Sequence, residues 1–505
     1  MTPAQSDTAA AAVPAAPAAA PGRVGVAVHY LRYSGASVLV MLAGLVSFPL
    51  LTRLLDNTQY GILGYYETWL MIGVAVAKLG AQHAILRLYP YGDEAAGLPA
   101  FATNLFLLPF ALSCAIWAAG ITVFACLDWF GGHAFSPVLW LAVMMVPLQV
   151  FASLVQMMLR AGEHSGLLSA TRVSWRWLEL VFMVGAVALL ERTAVAAYGG
   201  RMLAAVLVVA FYVHWVRRNL VFSRQLDWPR TRAAFRYGMP LVLNEIATVL
   251  LISIGRLMLK GMTGEFAAVG IFTIGYSLAL QVSLLMSAAL SESFIPVANR
   301  SWESGGAAAV RVLKARILLP MTYASIGIAA AIACVGSEAV QAISGADKAA
   351  SGPVFAWIGA LYALYPLLEI GGYGLLLHKR SATVLWLTAG ATVVSVLLNL
   401  WLIPAHGYMG ATWAAVASFA VLGLALYGFC PRELRHRPDG RALLTAMAAA
   451  TAFVLAVEAG GLSALDSPWA RLFAAGGLWL LLYVAPVLLL DPRLPGLVRE
   501  WKHRR

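Results

Sequence analysis

Two pairs of charged residues carry the chemistry that this sequence offers. In "NEIATVLLISIGRLMLKGM" (244–262), Glu245 and Arg256 stand eleven positions apart inside an otherwise apolar run. On a helix they differ by about 20° in azimuth and about 16 Å along the axis, so they share one stripe. Thr248 and Lys260 fall within about 60° of that stripe. Glu67 and Lys78 repeat the spacing of eleven in an earlier apolar run. A charge at the centre of a bilayer costs about 2.5–3.5 kcal/mol on insertion scales, so such residues face a partner or a water-filled cavity. The chemistry open to them is ionic: closing a gate by pairing, or holding an ion of opposite sign. The bland alternative is snorkelling, which suits Lys260, Arg256 and Lys78 near span ends but not the short acids Glu67 and Glu245.

Little else could do chemistry. The four cysteines share no CxxC spacing and read as small buried hydrophobes. The nine histidines are scattered without HExxH, and no Gly-rich Walker loop occurs, so neither a metal nor a nucleotide cofactor is expected.

The elements that must position these charges follow from composition. The 505 residues are 61% hydrophobic and only 11% charged, with mean hydropathy +0.79. Soluble domains carry about 25% charge, so this is a polytopic membrane protein. A hydrocarbon core needs about 20 apolar residues per helix. About fourteen segments qualify, near 29–51, 61–81, 103–126, 137–159, 174–191, 196–215, 237–260, 268–290, 316–337, 353–377, 382–403, 409–430, 442–460 and 470–490. Only "ERTA" (191–194) separates the fifth from the sixth. With both termini in the cytoplasm, about 27 of the 35 Lys and Arg fall on the cytoplasmic side, as the positive-inside rule asks. Arg53, Arg192, Arg201, Lys348 and Arg471 go to the opposite side. The net charge of +12 thus reflects loops facing anionic lipid, not a nucleic-acid partner.

The predicted organisation is a disordered Ala/Pro-rich tail (1–28), a lobe of spans 1–6 (29–215) and a basic linker (216–236). A second lobe of spans 7–12 (237–430), spans 13–14 (431–490) and a basic tail (491–505) complete it. Gly61-Ile62 and Gly270-Ile271 each open a span after a short polar turn, six spans apart, an echo that suggests parallel repeats. Outer loops are short, the longest about 15 residues, which disfavours a membrane glycosyltransferase or polymerase. A non-transporting scaffold would leave the buried charges without purpose.

Three stretches resemble Wzx-type polysaccharide flippases of the multidrug/oligosaccharidyl-lipid/polysaccharide exporter superfamily: "TRLLDNTQYG" (52–61), "GRLMLKGMTGEFAAVGIFTIGYSLA" (255–279) and "NLWLIPAHGYMGATWAAVAS" (399–418). In the last, Pro404 is expected to stop a helix, with Gly407 and Gly410 allowing a tight return. One departure is Gly255, where relatives often carry Asp, which puts ion coupling through that position in doubt. The resemblance implies two six-helix lobes around a cavity lined mainly by spans 1, 2, 7 and 8. It implies transfer of undecaprenyl-diphosphate-linked oligosaccharide to the outer leaflet of a bacterial inner membrane, for exopolysaccharide, capsule or O-antigen. No cofactor is implied beyond proton or sodium coupling of unknown identity. Partners would be that cargo, membrane lipids, and a polysaccharide polymerase and chain-length regulator.

On this reading the cavity and gate residues are Arg256, Glu245, Glu67 and Lys78, with Asn244 and Gln281 on cavity-lining spans by analogy. Spans 2 and 7 run in opposite directions, so two pairs are expected across the lobes: Glu67–Arg256 and Lys78–Glu245. Arg32 and Arg87 end spans 1 and 2 on the cytoplasmic side, where they could catch a diphosphate or simply contact lipid phosphates. Glu179, Glu369, Glu458, Asn104 and Asn399 are further polar groups within spans. The same-superfamily alternatives are a cation-coupled multidrug exporter and a lipid-II flippase.

Overall fold

Apolar runs of this length leave the backbone one solution in a bilayer, since every N–H and C=O must be paired within its own segment. The computed structural model describes residues 23–91, 96–130, 136–289 and 294–494, with backbone alone at 23–34, 130, 287–289 and 463. These residues form helices and no strand. The expected N-terminal tail (1–28) is shorter than read, since residues 23–28 already belong to a helix that begins at Arg23; residues 1–22, the basic tail beyond 494 and the Arg32 side chain lie outside the described residues.

The first lobe comprises α1 (Arg23–Leu54), α2 (Asn57–Ala77), α3 (Ala81–Leu88), α4 (98–130), α5 (Pro137–Ala161), α6 (Ser165–Leu189) and α7 (Ala194–Asn219). The second comprises α8 (Trp228–Thr263), α9 (Phe266–Ala289), α10 (Ile295–Ser344), α11 (Gly352–Gly372) and α12 (Ser381–Phe429). Two further helices, α13 (Gly440–Ala459) and α14 (468–490), pack on α10. There Trp479 Nε1 donates to the Gly327 carbonyl at 2.9 Å and the Tyr483 hydroxyl to that of Tyr323 at 2.6 Å.

Eleven described helices are each long and apolar enough to cross a membrane, and the bent pair α2–α3 makes twelve. The count reaches the expected fourteen for two physical reasons. Helix α12 holds two crossings that meet at Gly407, whose φ of +54° breaks the helix. Pro404 does not stop it; the chain turns three residues later, where only glycine adopts that backbone cheaply. Helix α6 is too charged to pass a hydropathy criterion, since Arg172, Arg176 and Glu179 all lie within it. The four-residue separation of α6 from α7 is a real turn: Thr193 caps α7, its hydroxyl accepting from the Ala196 amide at 3.3 Å. The basic linker is shorter than expected, because α8 begins at Trp228 behind an Asp227 cap. Asn104 in α4 fastens this linker, accepting from the Asp227 amide at 2.9 Å.

The two ends of the lobe interface are built differently. At the α1–α2 turn, an apolar seam crosses between lobes, joining Leu51, Leu55 and Tyr60 to Leu259, Phe272 and Ile274. The echoed glycines meet here. A Cβ on Gly61 would overlap the Phe266 carbonyl, and one on Gly270 the Asn57 carbonyl. Arg53 ties this end further, donating to the carbonyls of Ile343 and Ala342 at 2.9 and 2.8 Å. At the other end, nearer the basic loops, the chain between α2 and α3 takes positive φ at Leu79 and Gly80, bending the pair by 49°. Gly80 then lies against Gly238 of α8, where a Cβ on either would come within 2.9 Å of the other's backbone.

The glycine contact can be tested with single methyl groups. Gly61→Ala and Gly270→Ala should each destabilise the purified protein by about 1–3 kcal/mol, seen as a lowered unfolding midpoint. Gly261→Ala, with nothing within 4 Å of its added carbon, should leave the midpoint in place.

Candidate functional site

A cavity of about 340 Å³ lies between the lobes, walled by α1, α2, α6 and α7 on one side and α8 and α9 on the other. Five ionisable side chains other than tyrosine line it: Glu67, Arg176, Glu179, Arg201 and Arg256. Four of these form one ladder. Arg201 of α7 grips Glu67 of α2 through both terminal nitrogens, with Nη2 at 3.1 Å from Oε1. Its Nε lies 2.7 Å from Glu179 Oε1, and Arg176 Nη1 lies 3.0 Å from Glu179 Oε2, one helical turn away. The Tyr198 hydroxyl adds a bond to Glu67 at 3.4 Å. A bidentate guanidinium fork matches carboxylate geometry, which makes arginine suited to pairs kept from water.

Arg256 stands outside the ladder. It is buried, only 5% exposed, and its Nε has no hydrogen-bond partner. Among the described residues no carboxylate pairs with it. Its guanidinium instead sits 4.8 Å from the centre of the Tyr276 ring. A desolvated cation over an aromatic face gains about 2 kcal/mol, which offsets only part of the burial. The residue before it, Gly255, faces Phe272 and the Asn399 carboxamide oxygen, so no acid adjoins Arg256 on its own helix. The expected Glu67–Arg256 pair is therefore not formed. Both residues line the same cavity, but Glu67 is taken by Arg201, which approaches from within its own lobe.

The other expected pair is formed. Lys78 Nζ lies 2.9 Å from Glu245 Oε1, joining the end of α2 to α8. The same carboxylate accepts from Gln82 Nε2, and His83 Nε2 lies 3.8 Å away. With the Gly80–Gly238 contact, this polar cluster joins the lobes at the end nearer the basic loops.

Of the remaining sequence candidates, Gln281 lines the cavity, and its Oε1 is buried without a partner. Asn244 is not among the cavity's lining residues, although its Oδ1 is likewise unpartnered. Arg87 is engaged on the Tyr237 ring at 4.4 Å. Lys260 caps its own helix, donating to the Gly264 carbonyl and covering Phe266 at 3.9 Å.

Arg176 and Arg201 escaped the sequence reading. Arg201 falls seven residues inside α7, although its sign and position alone group it with the basic residues at the far side of the membrane. Its depth within an apolar span was the available signal. Arg176 stands three residues before Glu179, the spacing of a helical ion pair inside a span.

Comparison with known proteins bears on the family and the fold. The sequence profile of a family described as "Polysaccharide biosynthesis protein" matches residues 30–302. No curated protein matches the sequence. The lipid II flippase MurJ in an inward closed conformation superposes with a TM-score of 0.70 at 11% identity, covering 92% of this chain and 99% of that one. An inward-facing multidrug resistance MATE transporter of the MOP superfamily gives 0.57 at 16% identity, covering 82% and 95%. A MOP superfamily transporter from Pyrococcus furiosus gives 0.52 at 14% identity, covering 81% and 96%. At such identities these likenesses establish the fold alone.

The inter-lobe ion pair can be measured directly. Lys78→Ala and Glu245→Ala should each lower the unfolding midpoint. In the double variant the losses should fall short of additive by about 0.5–3 kcal/mol, the coupling expected of contacting charges. Additive losses would show that the two side chains do not interact.

Proposed function

Since the chain belongs to the polysaccharide biosynthesis protein family, multi-pass transporters of the MOP superfamily, we propose that it carries undecaprenyl-diphosphate-linked oligosaccharide across a bacterial inner membrane. The cargo enters the cavity from the cytoplasmic leaflet and leaves to the outer leaflet, supplying surface polysaccharide assembly. No covalent step is needed. The protein alternates between closure at the Lys78–Glu245 end, taken as cytoplasmic, and closure at the apolar seam.

The observation that carries this reading is Arg256: a buried guanidinium at a cavity wall with no carboxylate to balance it. An unpaired charge away from water is costly, so the site is completed by an anion. A diphosphate supplies one, and the guanidinium fork fits phosphate oxygens. The membrane potential favours the direction, since an anion leaving a negative interior gains about 2.3 kcal/mol per charge per 100 mV. Export of a cationic drug fits less well. Both cavity carboxylates are already consumed by arginines, and the surplus charge is positive.

The test is surface polysaccharide in cells that lack their own flippase. Arg256→Gln, at unchanged protein level, should reduce export by about tenfold or more, a loss of at least 1.4 kcal/mol. Arg256→Lys should retain an intermediate level, since it keeps the charge but loses the fork. Full export by Arg256→Gln would overturn the reading.

A further inference from the structure

The cavity charges do not balance the proposed cargo, and the imbalance is specific. Three guanidinium groups (Arg176, Arg201, Arg256) face two carboxylates (Glu67, Glu179), leaving one net positive charge. A diphosphate esterified at both ends carries two negative charges at neutral pH, and neither phosphate titrates there. The loaded cavity would thus hold one uncompensated negative charge between apolar walls. Such a charge is removed most cheaply by protonating a group that can accept a proton.

We propose that Glu67 is that group: it takes up one proton when the diphosphate binds and releases it when the cargo leaves. This rests on the cargo class proposed above. The Glu67 O–H forms as an O–H of a hydronium ion breaks, with the buffer replacing that proton, and on release the Glu67 O–H breaks and the proton returns to water. Of the two acids, Glu179 is the more tightly held. Its side chain is 9% exposed and both its oxygens are paired to guanidinium nitrogens, Arg176 on one and Arg201 on the other. Glu67 is 29% exposed, has one guanidinium partner, and opens onto the cavity that contains Arg256. A phosphate drawn to Arg256 comes up beside Glu67 and competes with it for Arg201. Both effects raise the affinity of Glu67 for a proton, one by like-charge repulsion and the other by loss of a cation.

The surroundings leave no better acceptor. The titratable and charged groups around Glu67 are Arg201 and Tyr198 of α7, Arg176 and Glu179 of α6, Arg256 of α8, and Tyr60 of its own helix. Helices α1 and α9 present only neutral side chains to the cavity. The arginines are already protonated and the tyrosines are neutral, so only the two acids can take the proton. Once Glu67 is neutral, Arg201 remains paired with Glu179, and the ladder keeps its shape without its first rung. Cargo and proton then move together, so each cycle transfers one negative charge outward rather than two.

The experiment is calorimetry of the full-length protein in nanodiscs at pH 7.5, in two buffers of different ionisation enthalpy. The probe is a diphosphate diester bearing geranyl on one phosphate and N-acetylglucosamine on the other. Wild type should take up about one proton per probe bound, so its affinity should weaken by up to about tenfold per pH unit as pH rises. Glu67→Gln should still bind the probe, with uptake near zero. Buffer-independent binding heats in wild type would overturn the proposal, as would unchanged uptake in Glu67→Gln. Failure of wild type to bind the probe would instead overturn the diphosphate cargo itself. The wild-type measurement decides whether a proton is taken up without any variant needing to fold.

Discussion

The structure depends on one electrostatic constraint: a charge inside a bilayer must be compensated, and compensation is a matter of counting. Along the cavity wall the protein places Arg176, Glu179, Arg201 and Glu67 in alternating sign, so each carboxylate is closed by a guanidinium. That ladder lets α2, α6 and α7 carry ionised groups in the membrane, and it fixes the three helices against one another. Arg256 then stands apart from the ladder, across the cavity on the second lobe. A fully neutral wall would have offered nothing to an anion. A wall of unpaired arginines would have been too costly to bury. One surplus guanidinium lies between these extremes, and the proposed transport follows from it.

Glycine backbone contacts join both ends of the lobe interface, but apolar residues complete one end and charged groups the other. At the α1–α2 turn, Gly61 and Gly270 bring α2 and α9 together until backbone meets backbone, and apolar residues fill the rest. At the opposite end Lys78, Gln82, His83 and Glu245 join the lobes alongside the Gly80–Gly238 contact. Apolar packing of this kind carries little ionic sensitivity. The polar cluster depends on local charge and hydration, so the two closures respond to different influences.

Much of the architecture was legible in the sequence because hydropathy reports directly on what a bilayer tolerates. Most of the expected spans and their order are readable that way, α6 least so because of its three charges. The opposed spacing of eleven in α2 and α8 points to the Lys78–Glu245 contact, which the structure contains. The partner of Glu67 was not legible. Helical register fixes which way a side chain points on its own helix, but not which neighbouring helix stands there. Arg201 was hidden for a related reason. Counted by sign and position it resembled a span-end anchor, and only the packing of α7 against α2 reveals it as the centre of the ladder. Pro404 shows the reverse: a strong local signal points to a helix end, whereas the chain turns at Gly407.

The charged helix α6 also bears on how the protein enters the membrane. With Arg172, Arg176 and Glu179 along its length, it is a poor candidate to partition into lipid alone, at about 2.5–3.5 kcal/mol per central charge. Helix α7 brings Arg201, which binds Glu179, and only residues 190–193 separate the two. The hairpin rather than the single helix is therefore the natural unit of insertion. The Arg201–Glu179 pair that shapes the cavity thus also lowers the cost of placing both helices in the membrane together.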